Sequence, residues 1–106
     1  MLKKRFFKTK NEADITFEFV HSVTEPLIHI DKVELVAEFN NWQPINMKYV
    51  KKDNIYRAKV RLPVGQQFHY RYLVNNQEWH NDHDADLYQP NEYGSDNSVV
   101  STANKS

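Results

Sequence analysis

The 106-residue sequence contains no cysteine, two glycines and no long apolar run. Without cysteine, the fold has neither a disulfide frame nor a thiolate for catalysis or metal binding. No segment approaches the roughly 18 consecutive apolar residues of a membrane-spanning helix. The basic first ten residues, MLKKRFFKTK, are not followed by the apolar stretch of a secretory signal peptide. We therefore expect a cytoplasmic protein that is held together by its core alone.

The sequence also lacks a net charge, because 14 basic residues balance 14 acidic ones. A neutral chain has no strong field that would draw it to nucleic acid or to an anionic membrane, so a neutral partner is expected. Apolar residues make up 40% of the chain, which is ordinary for a folded domain, and the length allows one hydrophobic core. We predict one domain at residues 12–102, preceded by a basic segment at 1–11 and followed by a polar tail at 103–106.

Apolar residues recur with a period of two and rarely with helical spacing, which predicts half-buried strands. The first strand is predicted at residues 14–21, and the last begins near Ser98. The paired asparagines Asn75 and Asn76 predict a tight two-residue hairpin turn, because asparagine tolerates left-handed backbone. Three strands with clear alternation are predicted between the first strand and the last. Their inward-facing residues are Val33, Leu35, Ala37 and Phe39 in one, Tyr56, Ala58, Val60 and Leu62 in the next, and Phe68, Tyr70, Tyr72 and Val74 in the third. Six or seven such strands fit an all-β, immunoglobulin-like β-sandwich.

Aromatic and amide residues at predicted loop or outward positions are the candidate functional residues: Trp42, Trp79, Tyr93 and Asn97. Sugar rings have apolar faces edged by hydroxyls, so sites for them combine flat aromatic rings with amide or guanidinium donors. Arg71 alternates with the inward row of its strand and is expected to reach the same surface. The alternatives are that the tryptophans cap the sandwich and that Arg71 is simply solvated.

The stretch HNDHDAD at residues 80–86 contains several possible metal ligands. A helix-flanked calcium loop needs glycine at its sixth position and glutamate at its twelfth, but counting from Asp82 these are Leu87 and Tyr93. We therefore predict no metal and no cofactor. No nucleophile motif is present, and a small sandwich offers no long cleft between two catalytic carboxylates. An enzyme is not expected.

Three ordered blocks resemble one known family: VAEFNNW at residues 36–42, YRYLVNNQEW at 70–79 and NEYGSDNSVV at 91–100. The family consists of the glycogen-binding early-set domains. They precede the catalytic barrel in isoamylases and branching enzymes, and one forms the glycogen-binding domain of the AMP-activated protein kinase beta subunit. The resemblance covers roughly residues 12–102, and residues 1–10 resemble short stand-alone bacterial members. It implies an immunoglobulin-like fold and noncatalytic binding of α-glucans such as glycogen, starch or maltooligosaccharides.

The resemblance also implies a set of binding residues. Trp42 and Trp79 take the positions of the stacking tryptophans. The four remaining positions, held in the kinase-subunit domain by lysine, leucine, threonine and asparagine, are taken by Arg71, Tyr93, Ser95 and Asn97. The chain departs from the family pattern in three ways. Asn75 and Asn76 replace an Asp-Gly turn, Glu78 is an extra residue before Trp79, and Glu38 replaces a smaller residue.

A second hypothesis from another class stays open at this point. The same exposed aromatics could contact a glycogen-metabolising enzyme or another subunit, because tryptophan, tyrosine and arginine dominate the hot spots of protein interfaces. A sugar site predicts two tryptophans in one open groove. A protein site predicts a broader apolar patch.

Overall fold

The structure is a computed structural model that describes residues 2–20 and 30–103. Strands and turns make up almost all of its regular structure. In chain order the strands are β1 (Leu2–Phe6), β2 (Glu12–Val20), β3 (Val33–Ala37), β4 (Ile45–Asn46), β5 (Lys48–Val50), β6 (Ile55–Pro63), β7 (Gln67–Val74), β8 (Glu78–His80), β9 (Leu87–Pro90) and β10 (Asp96–Ser101). One 3-10 turn, Glu38–Asn40, follows β3. No helix in the described ranges is long and apolar enough to cross a membrane.

The strands form two antiparallel sheets that pack face to face. The four-stranded sheet has the order β1-β2-β6-β5. The six-stranded sheet has the order β4-β3-β7-β10-β9, and β8 pairs with β7 beside β10. The predicted all-β sandwich is confirmed.

The core lies between the inward faces of the two sheets and is rich in aromatic rings. Phe17 of β2 meets Tyr70 of β7 edge to face, with ring centroids 5.0 Å apart, and Phe19 meets Tyr72 in the same way at 5.3 Å. Such edge-to-face pairs contribute roughly 0.5–1.5 kcal/mol to stability, in addition to the contribution of the apolar area that they bury. Because Tyr70 and Tyr72 carry hydroxyls into the core, each hydroxyl needs a hydrogen-bond partner.

The carboxylate of Asp82 supplies that partner. Its Oδ2 accepts hydrogen bonds from Tyr70 at 2.8 Å and Tyr72 at 3.0 Å, and its backbone N–H donates to Ser98 Oγ at 2.8 Å. Tyr88 closes the loop by donating its hydroxyl proton to the carbonyl of Asp82. Burial first, and then the neighbouring tyrosine and carboxylate, raises the pKa of Tyr70 well above its usual value. Asp82 therefore joins the loop before β9 to the core.

Several sequence expectations differ from the structure. Residues 2–20 and 30–103 form ten strands rather than six or seven, because β1 and β9 were not predicted and the region before β6 divides into β4 and β5. The first predicted strand is β2, which begins at Glu12, and residue 21 lies outside the described residues. Phe39 belongs to the 3-10 turn rather than to a strand. Residues 104–106 of the predicted tail are not described either, so the division into segments stays a prediction.

Candidate functional site

An open groove of about 670 Å³ lies on the outer face of the six-stranded sheet. This volume is within the roughly 300–1,000 Å³ of small-molecule sites. Among the described residues, its lining is mainly aromatic, amide and apolar, with Glu92 as its carboxylate. The lining residues are Val36, Trp42, His69, Arg71, Trp79, Pro90, Asn91, Glu92, Tyr93 and Asn97. The structure thus brings together five of the six predicted site residues; the exception is Ser95.

Trp42 is placed by the turn after β3. Its backbone N–H bonds to the carbonyl of Ala37 at 2.9 Å, and the N–H of Asn41 bonds to the carbonyl of Glu38 at 3.2 Å. These two bonds and the left-handed backbone of Asn41 form the Schellman pattern that ends helical turns. Trp42 also has a positive φ of 62°, which is uncommon for a bulky side chain. The indole is 45% exposed, which excludes the alternative of a buried cap.

Trp79 lies within strand β8, not in the loop that the sequence predicted. It pairs with Leu73 of β7, so its side chain shares the outer face with Arg71. The indole is 49% exposed. The guanidinium carbon of Arg71 lies 5.7 Å from the centroid of the Trp79 ring, within the range of a cation–π contact.

Arg71 is held by this ring rather than by hydrogen bonds. Its Nε is shielded from solvent and has no hydrogen-bond partner in the part of the chain that the structure describes. No carboxylate among the described residues forms an ion pair with it. The shielded Nε is out of reach of a ligand, whereas the terminal Nη groups, which are not among the shielded atoms, stay available to one.

The loop between β9 and β10 is organised by Asn91. The side-chain oxygen of Asn91 accepts the N–H of Tyr93 at 2.9 Å and of Ser95 at 3.3 Å, and its amide donates to Asn97 Oδ1 at 3.2 Å. These bonds hold Tyr93 over the groove, where it is 85% exposed. The hydroxyl of Ser95 takes a bond from the Asn91 amide at 3.0 Å and does not line the groove. Its role in binding stays a prediction.

Asn97 lies at the floor of the groove between Asn91 and a histidine. Its amide nitrogen is 3.1 Å from His69 Nδ1. When Asn97 donates this bond, the imidazole carries its proton on Nε2. His69 is fixed in turn through its backbone, because its N–H donates to Glu38 Oε1 at 3.0 Å.

Sequence reasoning missed the contributions of Asn91 and His69. A signal existed for each. His69 alternates with Arg71 on the outward row of β7, and Asn91 stands between Pro90 and Gly94, where asparagine commonly bonds the backbone two residues ahead. What the sequence could not show was that the side chains of both residues meet Asn97.

A family model described as the glycogen recognition site of AMP-activated protein kinase matches residues 29–106. This match spans most of the chain. The chain belongs to this family.

Solved structures add a second, more distant likeness for this glycogen-recognition domain. The ferric enterobactin esterases of Shigella flexneri and Salmonella typhimurium match with TM-scores of 0.73 at 10% and 11% identity. Each match covers 95% of this chain but only 32% and 34% of the esterase. The chain thus spans about a third of those proteins, and the likeness shows the fold alone. No curated protein sequence matches the chain.

The turn before Trp79 shows how this glycogen-recognition domain accommodates its extra residue. Asn75 and Asn76 have φ of 53° and 59°, and Gln77 N–H bonds to the carbonyl of Val74, so the asparagines form the turn that the sequence predicts. The predicted two-residue hairpin is wrong, because three residues separate β7 from β8. Val74 is nevertheless the strand partner of Glu78. Two residues therefore face one, which is a β-bulge, and the bulge returns Trp79 to the outer face.

The other two departures from the family pattern have structural roles as well. Asn75 Oδ1 accepts the N–H of Asp31 at 2.8 Å and of Lys32 at 3.2 Å, so it ties the turn to the segment before β3. The carboxylate of Glu38 takes the N–H of His69, at the point where β3 has ended. It thus extends the hydrogen bonding of β7 beside the groove.

Proposed function

We propose that this protein binds α-1,4-linked glucans, with or without α-1,6 branches, and does not hydrolyse them. Glycogen, starch and maltooligosaccharides are the expected ligands. The observation that carries the proposal is the presence of two half-exposed indoles, Trp42 and Trp79, in one open groove. Membership of the glycogen-recognition family supports the same conclusion.

The groove offers the two kinds of contact that a glucose ring needs. The indoles of Trp42 and Trp79 stack on the apolar faces of glucose units, and the exposed ring of Tyr93 reaches against the chain. Arg71 and Asn97 hydrogen-bond to hydroxyls, and the loop that carries Ser95 brings a further hydroxyl close to this end of the site. A neutral ligand also suits a groove that contains Arg71 and Glu92 together.

The composition of the groove supports binding without catalysis. Glycoside hydrolysis ordinarily uses two carboxyl groups about 5 to 9.5 Å apart across the scissile bond. Among the described lining residues, Glu92 is the carboxylate, and it is fully on the surface of the β9–β10 loop. A site of this kind holds a chain in place for another protein to process.

The test is a titration with β-cyclodextrin and with maltoheptaose, followed by tryptophan fluorescence and by calorimetry. The sequence has two tryptophans, so fluorescence reports on Trp42 and Trp79 alone. Stacking on an aromatic side chain is worth about 1–3 kcal/mol per flat ring in nucleic-acid systems, and sugars lie at the low end. We expect a dissociation constant between roughly micromolar and millimolar.

Variants at the two indoles locate the site. Trp42→Ala and Trp79→Ala should each abolish saturable binding in calorimetry, whereas Trp42→Phe and Trp79→Phe should retain part of it. Tyr49→Ala is the matched control, because Tyr49 is 45% exposed but belongs to the four-stranded sheet. A folded wild type that shows no response at millimolar sugar would overturn the proposal.

That negative outcome would favour the second hypothesis, in which the exposed aromatics contact a glycogen-metabolising enzyme. The kinship with isoamylase N-terminal domains and the cytoplasmic location also rest on sequence alone. The gathering of the aromatics into one groove, beside an unpartnered guanidinium, favours a chain-like ligand over a broad protein interface.

A further inference from the structure

The outer face of the four-stranded sheet, on the opposite side of the molecule from the groove, has an excess of positive charge. Cross-strand pairing aligns residues into rows on this face, and one such row is Arg5, Asp14 and Arg61. Three acidic residues of the described strands face outward: Glu12, Asp14 and Glu18. Six cationic residues do so: Lys3, Arg5, Lys48, Arg57, Lys59 and Arg61.

Part of this charge is structural. Arg57 bonds to Glu18 at 2.8 Å, and Arg61 bonds to Asp14 at 3.1 Å. Lysine on an exposed edge strand such as β1 also prevents unwanted strand pairing. These roles explain the cations of β6 and Lys3, which lies 3.5 Å from Glu18. They do not explain Arg5 or Lys48, and they do not explain Lys10, which lies between β1 and β2.

Arg5, Lys10 and Arg61 surround one aromatic ring, Phe7, and we call these four residues the cationic patch. The distances from the ring centroid are 4.8 Å for the Arg61 guanidinium, 5.5 Å for that of Arg5 and 5.8 Å for the Lys10 ammonium. Arg5 and Lys10 are exposed, and neither forms an ion pair with any described residue. Asp14 already pairs with Arg61 at 3.1 Å, but Arg5 and Lys10 form no such pair among the described residues, so an anion that bridges these two cations would be stabilised.

In the part of the chain that the structure describes, no carboxylate between residues 75 and 103 forms an ion pair with Arg5, Lys10 or Arg61. Between residues 75 and 103 the sequence has six carboxylates and no lysine or arginine, but Asp82 is used in the core and Asp86 pairs with Lys4 at 2.7 Å. The chain has zero net charge because the negative charge of residues 75–103 balances an excess of positive charge elsewhere. The excess positive charge lies on the face that does not bear the groove.

The chemistry of the patch favours carboxylates on a polypeptide over the phosphates of a nucleic acid. Single strands bind through bases that stack on open aromatic faces, whereas the Phe7 ring is already covered by cations. Asp14 stands in the same row and would repel a continuous line of phosphates. Separate carboxylates on a flexible segment can pair with Arg5 and Lys10 one at a time and avoid Asp14.

We propose that the cationic patch docks an acidic polypeptide segment of a partner protein. The patch and the groove lie on opposite faces, so the domain can hold a glucan and an acidic partner at the same time. This inference does not depend on the sugar site. The role of an adapter that joins a glucan to the partner rests, in addition, on the proposed function.

The experiment measures fluorescence anisotropy of a labelled oligo-glutamate peptide of about ten residues, at about 20 mM and about 150 mM salt. We expect saturable binding that weakens as salt rises. The double variant Arg5→Glu/Lys10→Glu should bind about tenfold more weakly or worse. The matched control is Lys51→Glu/Lys52→Glu, which makes the same charge change in the exposed β5–β6 turn and should stay within about twofold of wild type.

A third variant and a second ligand complete the test. Phe7→Ala should also lower the affinity for the peptide. If the wild type binds maltoheptaose, the double variant should bind it with the same affinity. The proposal is overturned if wild type does not bind the peptide at low salt, or if the control loses as much affinity as the double variant. It is also overturned if oligo(dT) or phosphatidylserine vesicles of equal charge bind the patch more tightly than the peptide.

Discussion

The two outer faces of the sandwich use their polar side chains in opposite ways. On the four-stranded sheet, the charges of β2 and β6 pair across the strands, as Arg57 does with Glu18. On the six-stranded sheet, neighbouring side chains hold the polar groups in position and leave them open to the groove. Asn97 is fixed by Asn91 and His69, and Arg71 is held by an indole. The charges that pair between β2 and β6 stabilise the fold, whereas polar groups that are held in place but left without a partner, such as those of the groove, can bind a ligand.

The largest expected effect concerns the support behind the six-stranded sheet. Asp82→Ala removes the acceptor that Tyr70 and Tyr72 share, and it leaves Tyr72 with only a long bond to the carbonyl of Glu18 at 3.4 Å. Each lost buried bond costs about 1–3 kcal/mol, so we expect a loss of about 3 kcal/mol or more in the free energy of unfolding. Urea denaturation measures this loss in the free energy of unfolding. Asp84→Ala is the control in the same loop, where Asp84 is exposed and should change stability by less than about 0.5 kcal/mol.

Equal stability losses in the two variants would show that Asp82 is not the link between this loop and the core. Asp82→Asn refines the result. An amide keeps one acceptor oxygen, so a stability between those of wild type and Asp82→Ala is expected.

The sequence allowed the strands with clear alternation to be predicted, but not those whose stability comes from elsewhere. In β1, Lys4 occupies the inward row, and its partner Asp86 is 82 residues away in sequence. Strand β9 is exposed along its whole length, so it has no apolar alternation. In the sequence, Asp82 is only one of several possible metal ligands at residues 80–86. Its tyrosine partners could not be predicted, because they are brought to it by the packing of the sheets.

Some features of the candidate site could also be predicted from the sequence, and others could not. Trp42, Trp79 and Arg71 could be predicted, because strand alternation and the family blocks determine which face they occupy. The strand position of Trp79 could not, since it depends on a bulge at Glu78 that restores the register after an extra residue. The function of Asn91 depends on bonds within its own loop, which alternation does not address.

A smaller effect should separate ligand binding from stability. Asn91→Ala removes the bonds that hold Tyr93 and Asn97, so the β9–β10 loop loses its fixed shape. We expect maltoheptaose affinity to fall about three- to tenfold, with a stability loss of about 1 kcal/mol because the loop is exposed. Calorimetry and urea denaturation measure the two quantities.

The matched control for this variant is Asn54→Ala in the β5–β6 turn. Asn54 accepts a hydrogen bond from the Tyr49 hydroxyl at 2.8 Å and connects two strands of the four-stranded sheet. It should lose similar stability and keep full affinity. If both variants lose affinity equally, the loop is not a specific support of the groove.

The smallest expected effect tests the paired charges of the four-stranded sheet through pH. A hydrogen bond from Arg61 holds the pKa of Asp14 below its usual value of 3.8. A carboxylate with a lowered folded-state pKa contributes stability above its unfolded-state value, and this contribution is lost as the pH falls through the folded-state pKa. Arg61→Gln should therefore destabilise the protein slightly at pH 7. This difference from wild type should shrink as the pH falls below 3.8 and vanish once the pH is below the folded-state pKa of Asp14. Urea midpoints across this range measure the difference, with Lys51→Gln as the exposed control. A difference that persists undiminished in acid would mean that Arg61 stabilises the face through its contact with Phe7 rather than through its charge on Asp14.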